Sequence, residues 1–152
     1  MAPAGHDAPP AGYALVAAVM APDSRGSVRL ASDDAGQPPL IDPGFFRAGR
    51  DLDRMEAGLG MLREAGTLLP GTELYPGRDG DLRDYPRRAV QSYYHPSGTC
   101  ALGAVVDGEL RVHGITGLRV ADASVIPLIP NANPNATVLA IAERAAELIA
   151  SR

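Results

Sequence analysis

Residues 94–149 read YHPSGTCALGAVVDGELRVHGITGLRVADASVIPLIPNANPNATVLAIAERAAELI, and three changes of pattern inside them set the expected architecture. Leu110-Arg111-Val112 and Leu118-Arg119-Val120 are short strand candidates on either side of a glycine-containing turn. Residues 122–134 then lose all periodicity, with prolines at 127, 130 and 134 that cannot donate to a ladder. From Thr137 to Ser151 the period becomes helical, with Val138, Ile141, Ala142, Ala145, Leu148 and Ile149 on one apolar stripe. Brief strands, irregular connections and a closing amphipathic helix are the marks of an α+β stretch, not of repeated βαβ units.

The residues upstream extend this reading. Tyr13–Met20 is short, apolar and free of helix and strand breakers, which predicts a strand. A turn cluster, Ala21 to Gly26, separates it from Ser27–Ala31, where polar and apolar residues alternate as in a half-buried strand. The two together predict a β-hairpin with a wide loop, followed by loop over 33–44. From Arg50 to Ala65, Leu52, Met55, Leu59 and Leu62 fall on one stripe opposite Arg and Glu. That predicts a helix in spite of Gly58 and Gly60, which weaken it by roughly 1 kcal/mol each. Residues 66–80 read as loop. Asp81 to Ser92 is a second helix candidate, limited or kinked by Pro86, and residues 93–108 read as irregular. The expected fold class is α+β, a small antiparallel sheet with about three helices. Residues 1–11 read as a flexible lead-in and residues 12–152 as one domain.

Composition narrows the functional classes. Apolar residues make up 45% of the 152 residues, too many for a disordered chain. The 17 glycines and 14 prolines predict many turns. Every basic side chain except histidine is Arg, which points to coding bias. A formal net charge of -4 offers nothing to nucleic acid or to an anionic membrane surface. The one cysteine, Cys100, excludes an internal disulfide and a cysteine-rich zinc site, and no metal site is expected. No apolar run is long enough to span a membrane, and Met1–Pro10 has no signal-peptide pattern. A cytoplasmic protein is therefore expected.

Three segments stand apart from the packing pattern. In Tyr94-His95-Pro96-Ser97-Gly98-Thr99-Cys100, Pro96 pushes His95 into extended backbone and Gly98 permits a close approach of chains. An imidazole so held is a candidate acid–base group, although a lone histidine is more often structural. In Val120-Ala121-Asp122-Ala123-Ser124, Asp122 either accepts from a ligand hydroxyl or caps a turn, and capping is the commoner role. In Asn131-Ala132-Asn133-Pro134-Asn135-Ala136-Thr137, Asn135 reads as a helix cap, whereas Asn133 is less easily explained as one. The amides at that helix start also favour a negative ligand group. Outside these segments the plain readings prevail. His113 and His6 are exposed or structural, Cys100 is a small buried residue, Tyr93 and Tyr94 either line a pocket or pack, and Arg87-Arg88 is a solvated face. With no Gly-x-Gly-x-x-Gly after a strand, no dinucleotide fold is encoded.

Taken together, YHPSGTCALG, VVDGELRVHGITGLRVADASVIP and NANPNATVLAIAERAAELI closely resemble the C-terminal signature of the glucose–methanol–choline (GMC) oxidoreductases. RGSVRLAS, PPLIDPGFF and the DLDRMEAGL helix resemble that family's substrate domain more diffusely. The resemblance covers nearly the whole chain after residue 12, and the Asn-Pro-Asn form is most similar to choline-type dehydrogenases and oxidases. It implies an FAD enzyme that oxidises alcohols, with a proton passing to an enzyme base and a hydride to the flavin. His95 matches the family's catalytic histidine. Asn133 matches the position where a His or Asn hydrogen-bonds the substrate oxygen. Asp122 and Ala123 match the segment running along the flavin, and Asn135, Ala136 and Thr137 the stretch beside its pyrimidine side. Two departures stand out: Ala101-Leu102 replaces the usual basic residue and Met, and Pro86 falls in a helix that is usually unbroken.

The phosphate-binding glycines and ribose-binding acid of the family have no counterpart here. The expectation is therefore a catalytic portion that meets its small alcohol substrate only with a separate FAD-binding polypeptide. The alternatives are a stand-alone domain without redox chemistry, binding a small ligand or acting as an isomerase or lyase through His95 and Asn133, and an inactive remnant.

Overall fold

The structure is a computed structural model that describes residues 11–151; the lead-in expected over residues 1–11 lies, but for Ala11, outside them. The element order is β1 (Ser27–Arg29), β2 (Leu40–Asp42), α1 (Gly49–Gly66), α2 (Tyr85–Ala89), a 3₁₀ turn (Ala123–Val125) and α3 (Asn135–Ala150). β1 and β2 pair as a two-stranded antiparallel sheet, and with three helices the chain is α+β. The described residues divide into two compact units, one of residues 11–26 and 41–91, the other of residues 27–40 and 92–151.

The first unit is organised by α1. Asp51 in its first turn and Arg63 in its last complement the helix dipole. Leu52 is 1% exposed, and burying a leucine this fully contributes about 1.5–3 kcal/mol. Gly58 has a packing reason: a β-carbon there would stand 3.3 Å from that of Ala17. Asp51, 2% exposed, holds the turn cluster ahead of β1. Its Oδ1 accepts the Asp23 N–H at 2.8 Å and its Oδ2 the Ser24 N–H at 2.7 Å, while the Ser24 hydroxyl accepts the Ala48 N–H at 3.0 Å. Burial pushes the Asp51 carboxyl up, but the Ser24 hydroxyl, the two N–H groups and the charge of Arg54 outweigh it and leave it below the ordinary range. Arg63 ties down the loop after α1, donating to both carboxylate oxygens of Glu73 and to the carbonyls of Gly77 and Gly80.

The second unit has a core of Val106, Leu110, Val125 and Ala145, against which Val105, Val112, Val120 and Ile141 pack. α3 contributes Ala145 and Ile141 to this core. The backbone around Val106, itself fully buried, is a set of single bridges, Leu102 with Val106, Val106 with Val112 and Arg111 with Arg119. Asp107 closes the tight loop between them. Its Oδ1 accepts the N–H of Glu109 and of Arg111, both at 2.9 Å, and its Oδ2 accepts Arg111 Nε at 2.8 Å. That loop carries Leu110 in the left-handed region at φ 63°, where a side chain bearing a β-carbon is strained.

Several expectations need correction. Tyr13–Met20 has strand composition but forms no strand, and the partner of β1 is β2, inside the stretch expected to be loop. A strand exists only where a neighbouring backbone meets its donors and acceptors, and nothing in Tyr13–Met20 specifies one. The second helix shrinks from 81–92 to Tyr85–Ala89 because Pro86 sits in its first turn, where a missing N–H costs nothing. The strand candidates at 110–112 and 118–120 remain isolated bridges. α3 begins two residues before Thr137, so Asn135 is its first helical residue and not its cap.

Replacing Asp51 by Ala leaves the Asp23 and Ser24 amides without their acceptor and is expected to lower stability by about 3 kcal/mol, read from the shift in the urea midpoint. Asp107 is held down from the ordinary carboxylate value of 3.8 to about 2, chiefly by the Arg111 N–H and guanidinium. Because its folded pKa is the lower one, its contribution is complete above the ordinary value and is lost as pH falls through about 2. Asp107→Asn is expected to remove that acid-sensitive component from the exchange protection of amides 105–112, measured against pH.

Candidate functional site

The residues singled out for chemistry all lie in the second unit. His95 is half-buried on a loop without regular structure, as expected from the proline that follows it. Among the described residues its imidazole makes no hydrogen bond; its one ring contact is with Tyr93, at 5.6 Å between centroids and 77° between planes. Gly98, three residues on, takes φ 86°, and a β-carbon there would lie 3.4 Å from the Ile126 carbonyl, a position where only glycine sits without strain.

The loop that begins at His95 is joined to the Asp122 segment. The Cys100 N–H donates to Ser124 O and the Leu102 N–H to Val125 O, both at 2.9 Å. Asp122 uses its carboxylate as a cap: Oδ1 accepts the Ser124 N–H at 2.8 Å and also the Ser124 hydroxyl. The Ser124 hydroxyl, then the Ser124 N–H, hold the Asp122 carboxyl below its ordinary value. Capping is thus what this carboxylate does within the chain. Ala123, half-buried, opens the 3₁₀ turn beside it.

Asn133 is exposed, and among the described residues its side chain makes no hydrogen bond. The next residue, Pro134, is buried and is the N-cap of α3. A proline offers no side-chain acceptor, so the first turn of this 16-residue helix has no side-chain cap. Asn135, Ala136 and Thr137 are exposed there. The structure therefore joins the His95 loop to the Asp122–Ala123 segment and sets Asn133 immediately before the open end of α3, while no hydrogen bond links His95 to Asn133.

Other residues fall as follows. Cys100 is half-buried, less enclosed than expected. His113, Arg87 and Arg88 are exposed. Pro86, the departure in the second helix, is accommodated at a helix start. Asp107 escaped the reading by residue type, although an Asp-Gly pair with Arg four positions after the Asp is a recognisable loop-closing pattern. Among the described residues no helix is long and apolar enough to cross a membrane.

Comparison with known proteins identifies the family. Residues 22–142 match the family model described as GMC oxidoreductase. The choline oxidase of Arthrobacter globiformis is 45% identical across 92% of this chain and 29% of its own length. The oxygen-dependent choline dehydrogenase of Acinetobacter baumannii is 39% identical across 85% and 26%. The crystal structure of pyridoxine 4-oxidase from Mesorbium loti superposes with a TM-score of 0.78 at 34% identity, covering 88% of this chain and 28% of that one. The chain thus spans less than a third of the length of each of these relatives. It belongs to the GMC oxidoreductase family, whose members are FAD-dependent, and it corresponds to that family's C-terminal domain.

Proposed function

We propose that this chain is the catalytic C-terminal portion of an FAD-dependent oxidoreductase acting on the CH–OH group of a small alcohol, and that it works with a separate FAD-binding polypeptide. The observation that carries the reading is His95: a half-buried imidazole with no hydrogen bond among the described residues, on a loop tied by backbone to the Asp122 segment. A fully buried histidine ordinarily satisfies its ring nitrogens within the protein or with water, whereas His95 is half-buried and reachable from outside. One left open is available to a ligand proton.

The residues present fit a flavin. The first turn of α3 has no side-chain cap, so its amides and the helix dipole are open to a polar, electron-rich ring edge. Asp122, Ala123, Asn135, Ala136 and Thr137 would hold the cofactor. FAD, when bound, supplies the acceptor for the hydride that leaves the alcohol carbon. His95 accepts the hydroxyl proton on an imidazole nitrogen, an effect worth about 10²–10⁴ in rate. The Asn133 carboxamide donates to the oxygen as negative charge develops there, and being non-titrating it does not compete for the proton.

The surface supports the second half of the proposal. Tyr13–Met20 has strand composition without a strand partner, and Leu15, Val16, Tyr94, Leu128, Leu139 and Ile149 are exposed. Large apolar side chains left open in both units suit a chain that buries them against another polypeptide.

The test is an FAD titration of the purified chain, alone and with a complementary FAD-binding polypeptide. The chain alone is expected to stay colourless. The pair is expected to bind flavin and to bleach on addition of alcohol. Tight FAD binding by the chain alone would sink the need for a partner. In the reconstituted pair, His95→Ala is expected to slow alcohol-dependent flavin reduction by about 10²–10⁴ with flavin affinity unchanged. Asn133→Ala, which removes one donor to the oxygen, is expected to slow it by roughly ten- to hundredfold. Unchanged rates would remove these residues from the mechanism.

A further inference from the structure

Resting on the reading of His95 as the base, we propose that Tyr93 is its positioning residue, holding the imidazole by an edge-to-face ring contact in place of the hydrogen bond that orients most working histidines. A general base must present one ring nitrogen in a fixed direction, and a histidine usually gets that from a carboxylate or carbonyl on its other nitrogen. Among the described residues His95 has no such partner. What it has is the Tyr93 ring, 5.6 Å away and inclined at 77°, within the range in which perpendicular aromatic pairs attract.

The backbone between the two rings is built to bring them together. Tyr94 lies at φ 61° in the left-handed region, an unusual conformation for a bulky residue. Within this chain its side chain is 79% exposed, so packing inside the unit does not impose the turn. The turn is held instead by Ser92, whose hydroxyl accepts the Tyr94 N–H at 3.0 Å, and on its far side by Pro96, which keeps His95 extended. A left-handed residue held by its neighbour's hydroxyl folds residue 93 toward residue 95. Tyr93 is itself 59% exposed, so the contact is not a by-product of core packing. The Tyr93 hydroxyl makes no hydrogen bond among the described residues, so the contact is one between the two rings.

The contact and its consequence are tested separately. The protein contains three histidines, so the His95 imidazole C–H signals are assigned by their loss in His95→Ala. They are expected to be displaced by the Tyr93 ring current, to stay displaced in Tyr93→Phe, and to move to solvent-exposed values in Tyr93→Ala and, through loss of the turn, in Ser92→Ala. In the reconstituted flavin complex, Tyr93→Ala is expected to lower kcat for alcohol by about ten- to hundredfold with KM and flavin affinity little changed, and Tyr93→Phe to restore it. His95 signals that do not differ between the native chain and Tyr93→Ala overturn the contact. A full kcat in Tyr93→Ala, or a loss that Tyr93→Phe does not rescue, overturns the positioning role. A full kcat in His95→Ala defeats instead the assignment of the base and leaves the ring contact to be judged by its spectrum.

Discussion

Two backbone hydrogen bonds, from Cys100 N–H to Ser124 O and from Leu102 N–H to Val125 O, set the arrangement on which the candidate site depends. They join a loop without regular structure to a 3₁₀ turn that Asp122 caps, and Val125 within that turn enters the core with Val106, Leu110 and Ala145. His95 therefore stands on backbone that is irregular yet anchored, through a few residues, to the best-packed part of its unit. Gly98 sits where the two segments approach, at φ 86°, a backbone conformation that only glycine adopts freely.

Strand pairing does little of the holding. Strands of three residues and single bridges leave many backbone groups to be met by side chains, and the carboxylates meet them. Asp51, Asp107 and Asp122 each accept backbone N–H groups at a turn. Arg63 performs the complementary task for carbonyls in the loop after α1. A chain rich in Gly and Pro needs such clamps because its turns have no ladder to fix them.

The same economy shapes the site. The open first turn of α3 follows from Pro134, which starts a helix well but caps nothing with its side chain. Among the described residues the His95 imidazole and the Asn133 carboxamide make no hydrogen bond within the chain, and both stand with the uncapped helix end at positions open to solvent. The exposed apolar side chains make a parallel case at larger scale. The chain matches less than a third of each relative compared, and side chains such as Val16, Leu128 and Ile149 stand exposed on it.

The amino-acid order alone determined the α+β class, the positions of α1 and α3, the family and the residues proposed for chemistry. Helical periodicity and the runs around His95, Asp122 and Asn133 are local properties, readable without knowing what lies beside them. Strand pairing was different. Tyr13–Met20 and Leu40–Asp42 could not be ranked from composition, because a strand is made by its neighbour's hydrogen bonds and the neighbour is chosen in three dimensions. The same reason hid the Asp51 clamp, whose partners lie 27 and 28 residues away, and the start of α3, where the caps at hand were judged by residue type and the backbone chose Pro134. Only the tertiary structure decided that the backbone of Cys100 and Leu102 bonds to Ser124 and Val125, because residues so far apart in the chain meet only in three dimensions.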